Sequence, residues 1–402
     1  MVSYFWRHFF SLLLGFVAFS QWACAWWMIS WALGPQFTGS WLLHVAAPLV
    51  FYSVNRSLLP FEPRSNVTAW IQRAWTGLAF SSIFASLFLV FAWVVGSLTG
   101  AVLYALGASA TLSLSAGALE LARQLTTAGL LAVFTSMAWG YTRGQAELHI
   151  NEISVAIPEL AAALEGLRLV QLSDIHLGRF MSAERISRYV SIVNGLEPDL
   201  LCITGDITDG LAHAPQTFPA LGGLRARHGV YAIMGNHDRA TGADAVTAAL
   251  HSWTDFEVLR DSGTVVDVGG ASLHLIGLDD RGKDWARGLA KDPFLDELAT
   301  AVPAGEPSVL LAHRPDLFPQ AAELGLNLVL AGHTHGGQLS LPLPGRVRLS
   351  LARFMTRYPR GTYYSGGSCL HVNRGLGMTG QPVRIATPRE ITVITLSGHP
   401  RS

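Results

Sequence analysis

The chain has 402 residues, half of them apolar, with 28 basic and 28 acidic side chains and a formal net charge of zero. That balance and the lack of any basic stretch argue against a nucleic-acid binder, and the length leaves room for more than one domain. The charge is unevenly spread, because only Arg7, Arg56, Glu62, Arg64, Arg73, Glu120 and Arg123 precede position 141.

A soluble domain of that length carries about a quarter charged residues, so the N-terminal third reads as membrane material. A hydrocarbon core about 30 Å thick needs roughly 20 apolar residues as helix. Candidate spans are Phe9–Leu33, Ser40–Leu59, Ala74–Gly96, Leu98–Leu119 and Leu125–Tyr141. The fourth is rich in Ser and Gly, which suits close helix packing. The first is too long for a signal peptide and lacks a small-residue cleavage site. Trp6, Trp26, Trp27, Trp31, Trp41 and Trp70 fall near span ends, as an interfacial belt would place them. Arg7 and the arginines of the second connection put the N-terminus in the cytoplasm. Five spans then leave the following domain outside, four leave it inside, and the expectation is five: a multi-pass protein of the cell (inner) membrane with an exocytoplasmic domain. Residues 1–145 form the expected transmembrane domain and 146–402 a second one. Cys24, Cys202 and Cys369 all lie in apolar runs and read as buried free thiols.

From Ala146 onward the texture changes to short apolar runs ending in polar or glycine-rich turns. ELHINEISVAI alternates like a half-buried strand, and GLRLVQLSD, PDLLCITGD, GVYAIMGNHD, SLHLIGLDD, PSVLLAHRPD and LNLVLAGHTH follow. Helix-like stretches, Ser182–Leu196 and Ala243–Trp253 among them, separate several of these runs. Continuous apolar runs predict strands buried on both faces, and CLHVNRGLG and REITVITLSG add strands without intervening helices. The pattern predicts a layered α/β sandwich on two mixed sheets.

Polar residues cluster at the strand ends. Asp174 and His176 follow one strand, Asp206 and Asp209 the next, then Asn236, His237 and Asp238, then His313, then His333 and His335. Each alone reads best as a turn or cap residue. Five strands ending in metal-ligand residue types point instead to a site at the carboxyl edge of the sheets. The other nine histidines, His44, His274 and His371 among them, read as ordinary polar or core residues.

The ordered set D-I-H at Asp174–His176, GDITD at Gly205–Asp209, GNHD at Gly235–Asp238, His313 and GHTH at Gly332–His335 resembles the calcineurin-like metallophosphoesterase superfamily across roughly the last 260 residues. NRGLGMTGQPVR and the GGQ after His335 further resemble a bacterial, membrane-anchored branch. The resemblance implies a four-layer αββα sandwich, here preceded by an all-α transmembrane domain, and two divalent metal ions. By it, Asp174, His176 and His335 would hold one ion, Asn236, His313 and His333 the other, and Asp206 both. Mixed imidazole, carboxylate and amide ligands suit Mn, Fe or Zn. His237 would protonate the leaving oxygen, oriented by Asp209.

One departure bears on substrate. Where the protein phosphatases of the superfamily continue GDxxD with an arginine, Gly210 stands here, and GNHD replaces GNHE. The expected function is therefore a membrane-anchored phosphoesterase for phosphomonoesters, phosphodiesters or pyrophosphates, free or lipid-linked. A nuclease or nucleotide phosphodiesterase is one alternative, and a membrane sensor or scaffold that lost turnover is another. The stretch LSLPLPGRVRLSLARFMTRYPRGTYY interleaves Arg346, Arg348, Arg353, Arg357 and Arg360 with apolar residues just after His335. It reads as a solvated hairpin or as a path for an anionic headgroup.

Overall fold

The computed structural model describes residues 2–34, 41–58, 66–105, 116–178, 180–281, 291–342 and 348–399. The chain forms two compact units, Met1–Tyr141 and Thr142–Ser402.

The first unit contains four long helices, α1 (Val2–Leu33), α2 (Trp41–Leu58), α3 (Asn66–Ala105) and α4 (Ala116–Thr142). Where the sequence suggests separate third and fourth spans, a single 40-residue helix runs through Gly96 and Leu98 to Ala105. No proline interrupts it, and isolated glycines are tolerated in a helix interior. The remainder of the Leu98–Leu119 stretch, residues 106–115, lies outside the described residues. Two stretches, Ser11–Trp31 and Trp70–Val102, are long and apolar enough to cross a bilayer. Burial in this unit is partly reversed relative to a water-soluble bundle, since polar residues are buried beside apolar ones such as Leu14, Val17 and Leu130. Ser20, Gln21, Asn55, Gln72, Ser82 and Ser86 are buried, whereas Leu12, Trp70, Trp93, Leu125 and Leu131 face outward. Several inner polar groups pair with one another: Asn55 Nδ2 donates to Gln21 Oε1 at 2.8 Å, and Trp75 Nε1 donates to Asn55 Oδ1 at 2.9 Å. Ser86 Oγ likewise donates to Ser20 Oγ at 3.0 Å. Lipid offers no hydrogen bonds, so polar side chains pair between helices and apolar ones take the outside.

The second unit is built on fourteen strands. In chain order these are β1 (Leu148–Ala156), β2 (Arg168–Leu172), β3 (Leu200–Thr204), β4 (Val230–Ile233), β5 (Glu257–Val258), β6 (Ser262–Val268) and β7 (Ala271–Leu278). They continue as β8 (Ser308–Ala312), β9 (Leu328–Ala331), β10 (Ser340–Pro342), β11 (Arg348–Ser350), β12 (Gly361–Ser365), β13 (Ser368–Val372) and β14 (Arg389–Ser397). One six-stranded sheet has the order β1-β14-β2-β3-β4-β5, a second has β12-β13-β9-β8-β7-β6, and β10 and β11 make a ribbon. Both sheets are mixed: β14 runs antiparallel to β2, as β12 does to β13 and β6 to β7, while the central pairs are parallel.

Three cores stack these sheets into the expected four layers. Leu169, Leu200, Cys202 and Ile233 of the first sheet pack against Leu273, Val309, Leu311 and Leu328 of the second. The outer face of the first sheet carries α5 (Ala183–Asn194), α6 (Ala214–Leu221) and α8 (Ala243–Trp253), through Val190, Phe218 and Leu250. A short helix α7 (Asn236–Thr241) precedes α8. The outer face of the second sheet carries α9 (Pro293–Thr300) and α10 (Phe318–Glu323), through Leu295 and Phe318. A one-turn helix α11 (Ala352–Met355) follows the ribbon. Central strands are thus covered on both faces, which is why β2, β3, β8 and β9 read as unbroken apolar runs. Gln171 is the polar exception in β2, and its Nε2 donates to Thr204 Oγ1 at 3.0 Å and to Ala331 O at 2.9 Å, tying three strands of both sheets together at one end. All three cysteines are buried free thiols.

Candidate metal centre

The nine residues singled out in the sequence come together where β2, β3, β4, β8 and β9 end. Five of them, Asp174, His176, Asp206, His333 and His335, have positive φ between 48° and 69°. Left-handed backbone is costly for residues with a side chain and clusters at functional sites. The turns after β2, β3 and β9 carry this strain, and it aims their polar side chains into the site. Neighbouring glycines make room: a Cβ on Gly235 would collide with the Asp206 carboxylate, and one on Gly332 with Ser173 and Asp174.

Two facing groups result, Asp174 with His176 and His335, and Asp206 with His313 and His333, each able to hold a metal ion. In the first, His176 Nε2 lies 3.1 Å from His335 Nε2, which is 3.5 Å from Asp174 Oδ1. In the second, His313 Nε2 lies 3.2 Å from Asp206 Oδ2 and 3.2 Å from His333 Nδ1. Asp206 Oδ2 also lies 3.7 Å from His176 Nε2, so this one oxygen reaches both groups. The other, Oδ1, accepts from the backbone N–H of His237 at 2.8 Å.

Surrounding bonds fix the side chains in ligand-competent form. His313 Nδ1 donates to Thr204 O at 2.8 Å, and His176 Nδ1 donates to Asp209 Oδ1 at 2.7 Å, leaving each Nε2 lone pair for a cation. Asp174 accepts from Ser173 Oγ at 2.6 Å and from the backbone N–H of His333 at 3.0 Å. Asn236 Oδ1 is buried without a hydrogen-bond partner. Such an atom is costly unless something positive faces it, and this is the donor a second cation would use.

Electrostatics lead the same way. Burial, then the charges of His313 and Arg314, hold His333 well below the ordinary histidine range; burial, then His176 and Arg384, do so for His335. Both stay neutral, the form that binds metal. Burial alone would lower His313 as well, but the Asp206 carboxylate, then Asp174 and Asp280, push it up to about 10. A divalent cation held there would answer the same excess of buried negative charge and take the place of that proton. The donor set therefore fits two divalent ions.

A third group forms the rim, His176 with Asp209 and His237. Asp209 Oδ1, which accepts from His176, also lies 2.9 Å from His237 Nδ1. The hydrogen bond to Asp209 raises His237 above its ordinary pKa, against a lowering by burial. The His237 side chain is 36% exposed, the access a proton donor to an incoming molecule needs.

Sequence reasoning assigned no role to several supporting residues. Asp238 accepts from the backbone N–H groups of Ile207, Thr208 and Gly235 at 2.9–3.0 Å, locking the GDITD and GNHD turns together. An acid in the first turn of α7 was the available signal. Arg314, next to His313, donates to Asp280 Oδ2 at 2.6 Å and lies 2.8 Å from His333 Nε2. The fully buried Arg384 donates to the carbonyls of Arg374, Gly375, Gly377 and Thr387. It shapes the loop whose Leu376 N–H bonds Ser173 O at 3.0 Å, beside Asp174. Its Nη2 also lies 3.5 Å from His335 Nδ1, and the available signal was its place at the end of NRGLGMTGQPVR.

Two cation-binding groups sharing a carboxylate at the ends of a mixed α/β sandwich define a metal-dependent hydrolase class. The profile of the family described as Calcineurin-like phosphoesterase matches residues 167–337, a segment containing all nine site residues. The chain is 32% identical over 265 residues to the "Uncharacterized metallophosphoesterase YkuE" of Bacillus subtilis (strain 168), covering 64% of this chain and 89% of that protein. It is 32% identical over 292 residues to a "Transmembrane protein with metallophosphoesterase domain" of Danio rerio, covering 67% of this chain and 62% of that one. An "Uncharacterized metallophosphoesterase" of Helicobacter pylori (strain J99 / ATCC 700824) is 29% identical over 264 residues, 64% of this chain and 66% of that one. The chain belongs to the calcineurin-like metallophosphoesterase family.

Proposed function

We propose that the chain is a membrane-anchored phosphoesterase that uses two divalent cations, Mn, Fe or Zn, to hydrolyse phosphomonoesters, phosphodiesters or pyrophosphates, free or lipid-linked. The observation that carries this reading is the pair of facing ligand groups joined through Asp206 Oδ2. Asp174, His176 and His335 would hold one cation; Asn236, His313 and His333 the other; Asp206 both. When bound, such a pair polarises a phosphoester and makes water nucleophilic at neutral pH. Asp206 keeps the two ligand groups in register, with one oxygen anchored on the His237 backbone. His237, held through Nδ1 by Asp209, presents its other nitrogen to donate a proton to the leaving oxygen. Asp209 thereby orients a ligand and an acid with one oxygen.

The partly reversed burial of the first unit supports the anchoring. If all four described helices cross, with Arg7 inside, the catalytic unit lies at the cytoplasmic face, whereas five spans would place it outside. No nucleic-acid partner is invoked.

The test is metal analysis and phosphorus NMR of lipid and nucleotide extracts incubated with detergent-purified protein. Wild type should carry two ions per chain and release a phosphate product, and Asp206→Ala should lose most of the metal and essentially all turnover. Two ions per chain and normal turnover in Asp206→Ala would sink the assignment.

A further inference from the structure

Between Glu323 and Glu390 the chain has no acidic residue and eight arginines. Three of these are used internally: Arg384 and Arg389 are fully buried, and Arg374 pairs with Glu390 at 2.6 Å. Arg346 lies outside the described residues. Arg348, Arg353 and Arg357 are exposed and Arg360 is half-buried.

The same segment gathers apolar surface. Of the eleven large apolar side chains exposed among the described residues of the second unit, five lie between positions 341 and 355: Leu341 at 59%, Leu349 at 40%, Leu351 at 69%, Phe354 at 77% and Met355 at 53%. Single exposed hydrophobics are ordinary, but a group of this size marks an interaction surface. The segment is also pinned. Ser340, Ser350 and Ala352 are buried beneath it, Ser340 Oγ bonds Gly336 O at 3.3 Å, and Thr356 Oγ1 bonds Asp316 Oδ1 at 2.7 Å. Small residues point in and large apolar residues point out, which is not what folding alone would select.

Apolar side chains interleaved with arginines, without one acid, match the boundary of an anionic bilayer, where apolar groups enter and guanidinium groups remain among the headgroups. The surface also leads inward: Arg360 and Arg374 flank Gly336, the residue after His335.

We propose that the face formed by Leu341, Leu349, Leu351, Phe354 and Met355, with Arg348, Arg353 and Arg357, docks on an anionic lipid bilayer beside the metal centre. It rests on the membrane reading of the first unit and is independent of turnover.

The test uses the full chain in nanodiscs of phosphatidylglycerol and phosphatidylcholine containing doxyl-labelled lipid. Environment-sensitive fluorophores are attached through Phe354→Cys, through Val265→Cys as a remote exposed control, and through Leu87→Cys on α3 as a control for insertion. The native cysteines are buried. Expected are strong quenching at positions 87 and 354 and none at 265. Adding Arg353→Gln and Arg357→Gln should weaken docking about 30-fold, or ~2 kcal/mol at about 1 kcal/mol per basic residue. The loss should appear on anionic discs and vanish on pure phosphatidylcholine. Quenching at 87 without quenching at 354 overturns the docking surface alone, whereas absence at 87 overturns the membrane reading. Shielding of the 354 label that depends on protein concentration and not on lipid assigns the face to self-association and overturns the proposal.

Discussion

Asp209→Asn isolates what one carboxylate oxygen contributes to two histidines. Oδ1 lies 2.7 Å from His176 Nδ1 and 2.9 Å from His237 Nδ1, and asparagine keeps an acceptor there while removing the charge. Burial would raise the Asp209 carboxyl, but the bonds to His176 and His237 hold it well below the usual carboxylate range, so the charged form is what wild type uses. Hydrogen bonds to charged groups contribute about 1.5–3 kcal/mol against about 0.5–1.5 for neutral ones, so the substitution costs about 1 kcal/mol per bond. The side chain is 40% exposed, which trims this further through solvent screening. The bond to His176 bears on metal, and a loss of just under 1 kcal/mol is about fivefold in affinity, near the lower end of the effects seen for partners of metal-bound histidines. The bond to His237 bears on proton donation and adds a similar factor in turnover. Isothermal titration of metal-stripped protein with Mn²⁺ reads the first, and hydrolysis of an alkyl phosphoester reads the second. His237→Ala is the comparison, since it should lower turnover and leave metal affinity unchanged. Wild-type affinity in Asp209→Asn, or equal metal loss in His237→Ala, would refute the shared-oxygen argument.

Other expectations follow from the same geometry. His237→Ala should cost little on a nitrophenyl ester and an additional factor of roughly 10² or more on an alkyl ester; equal losses on both would make His237 structural. Burial would raise Glu390, but its bond to His371 and the charges of Arg374 and His371 hold it well below the ordinary range. A folded value below the unfolded one, about 4.3, contributes stability above that pH that is lost as pH falls below it. Glu390→Gln should lower the thermal midpoint at pH 7, by about 3 kcal/mol for a broken buried pair, and flatten the acid side of its pH profile. Profiles that stay parallel between wild type and variant would contradict this. A reporter fused after Tyr141 should read as cytoplasmic if four helices cross the membrane, and an exocytoplasmic reading would restore the five-span topology.

The ligand types were legible because each follows an apolar strand directly, and the spacing of DIH, GDITD, GNHD and GHTH is local in the chain. The strands themselves were legible because both faces of each sheet are covered. His371, read as an ordinary histidine, is fully buried and bonds Thr362 and Thr392, as a core residue should. Other features depend on segments far apart in sequence. Arg384 works only because a loop closes around it, and the Glu390 cluster joins Asn151, His371 and Arg374 from separate strands and a turn. That Asp209 serves two histidines required β2, β3 and β4 to lie side by side. That the third candidate span and the start of the fourth share one helix to Ala105 was not legible, because hydropathy records apolar length but not where a helix breaks. The sequence by itself determined the inventory of candidate metal ligands, the membrane-like composition and the layered α/β class, because side-chain chemistry and periodicity are local properties. Tertiary structure alone decided which oxygen reaches both ligand groups, which imidazoles stay neutral, and which apolar residues after His335 remain uncovered, because distance, desolvation and exposure arise only when remote segments pack.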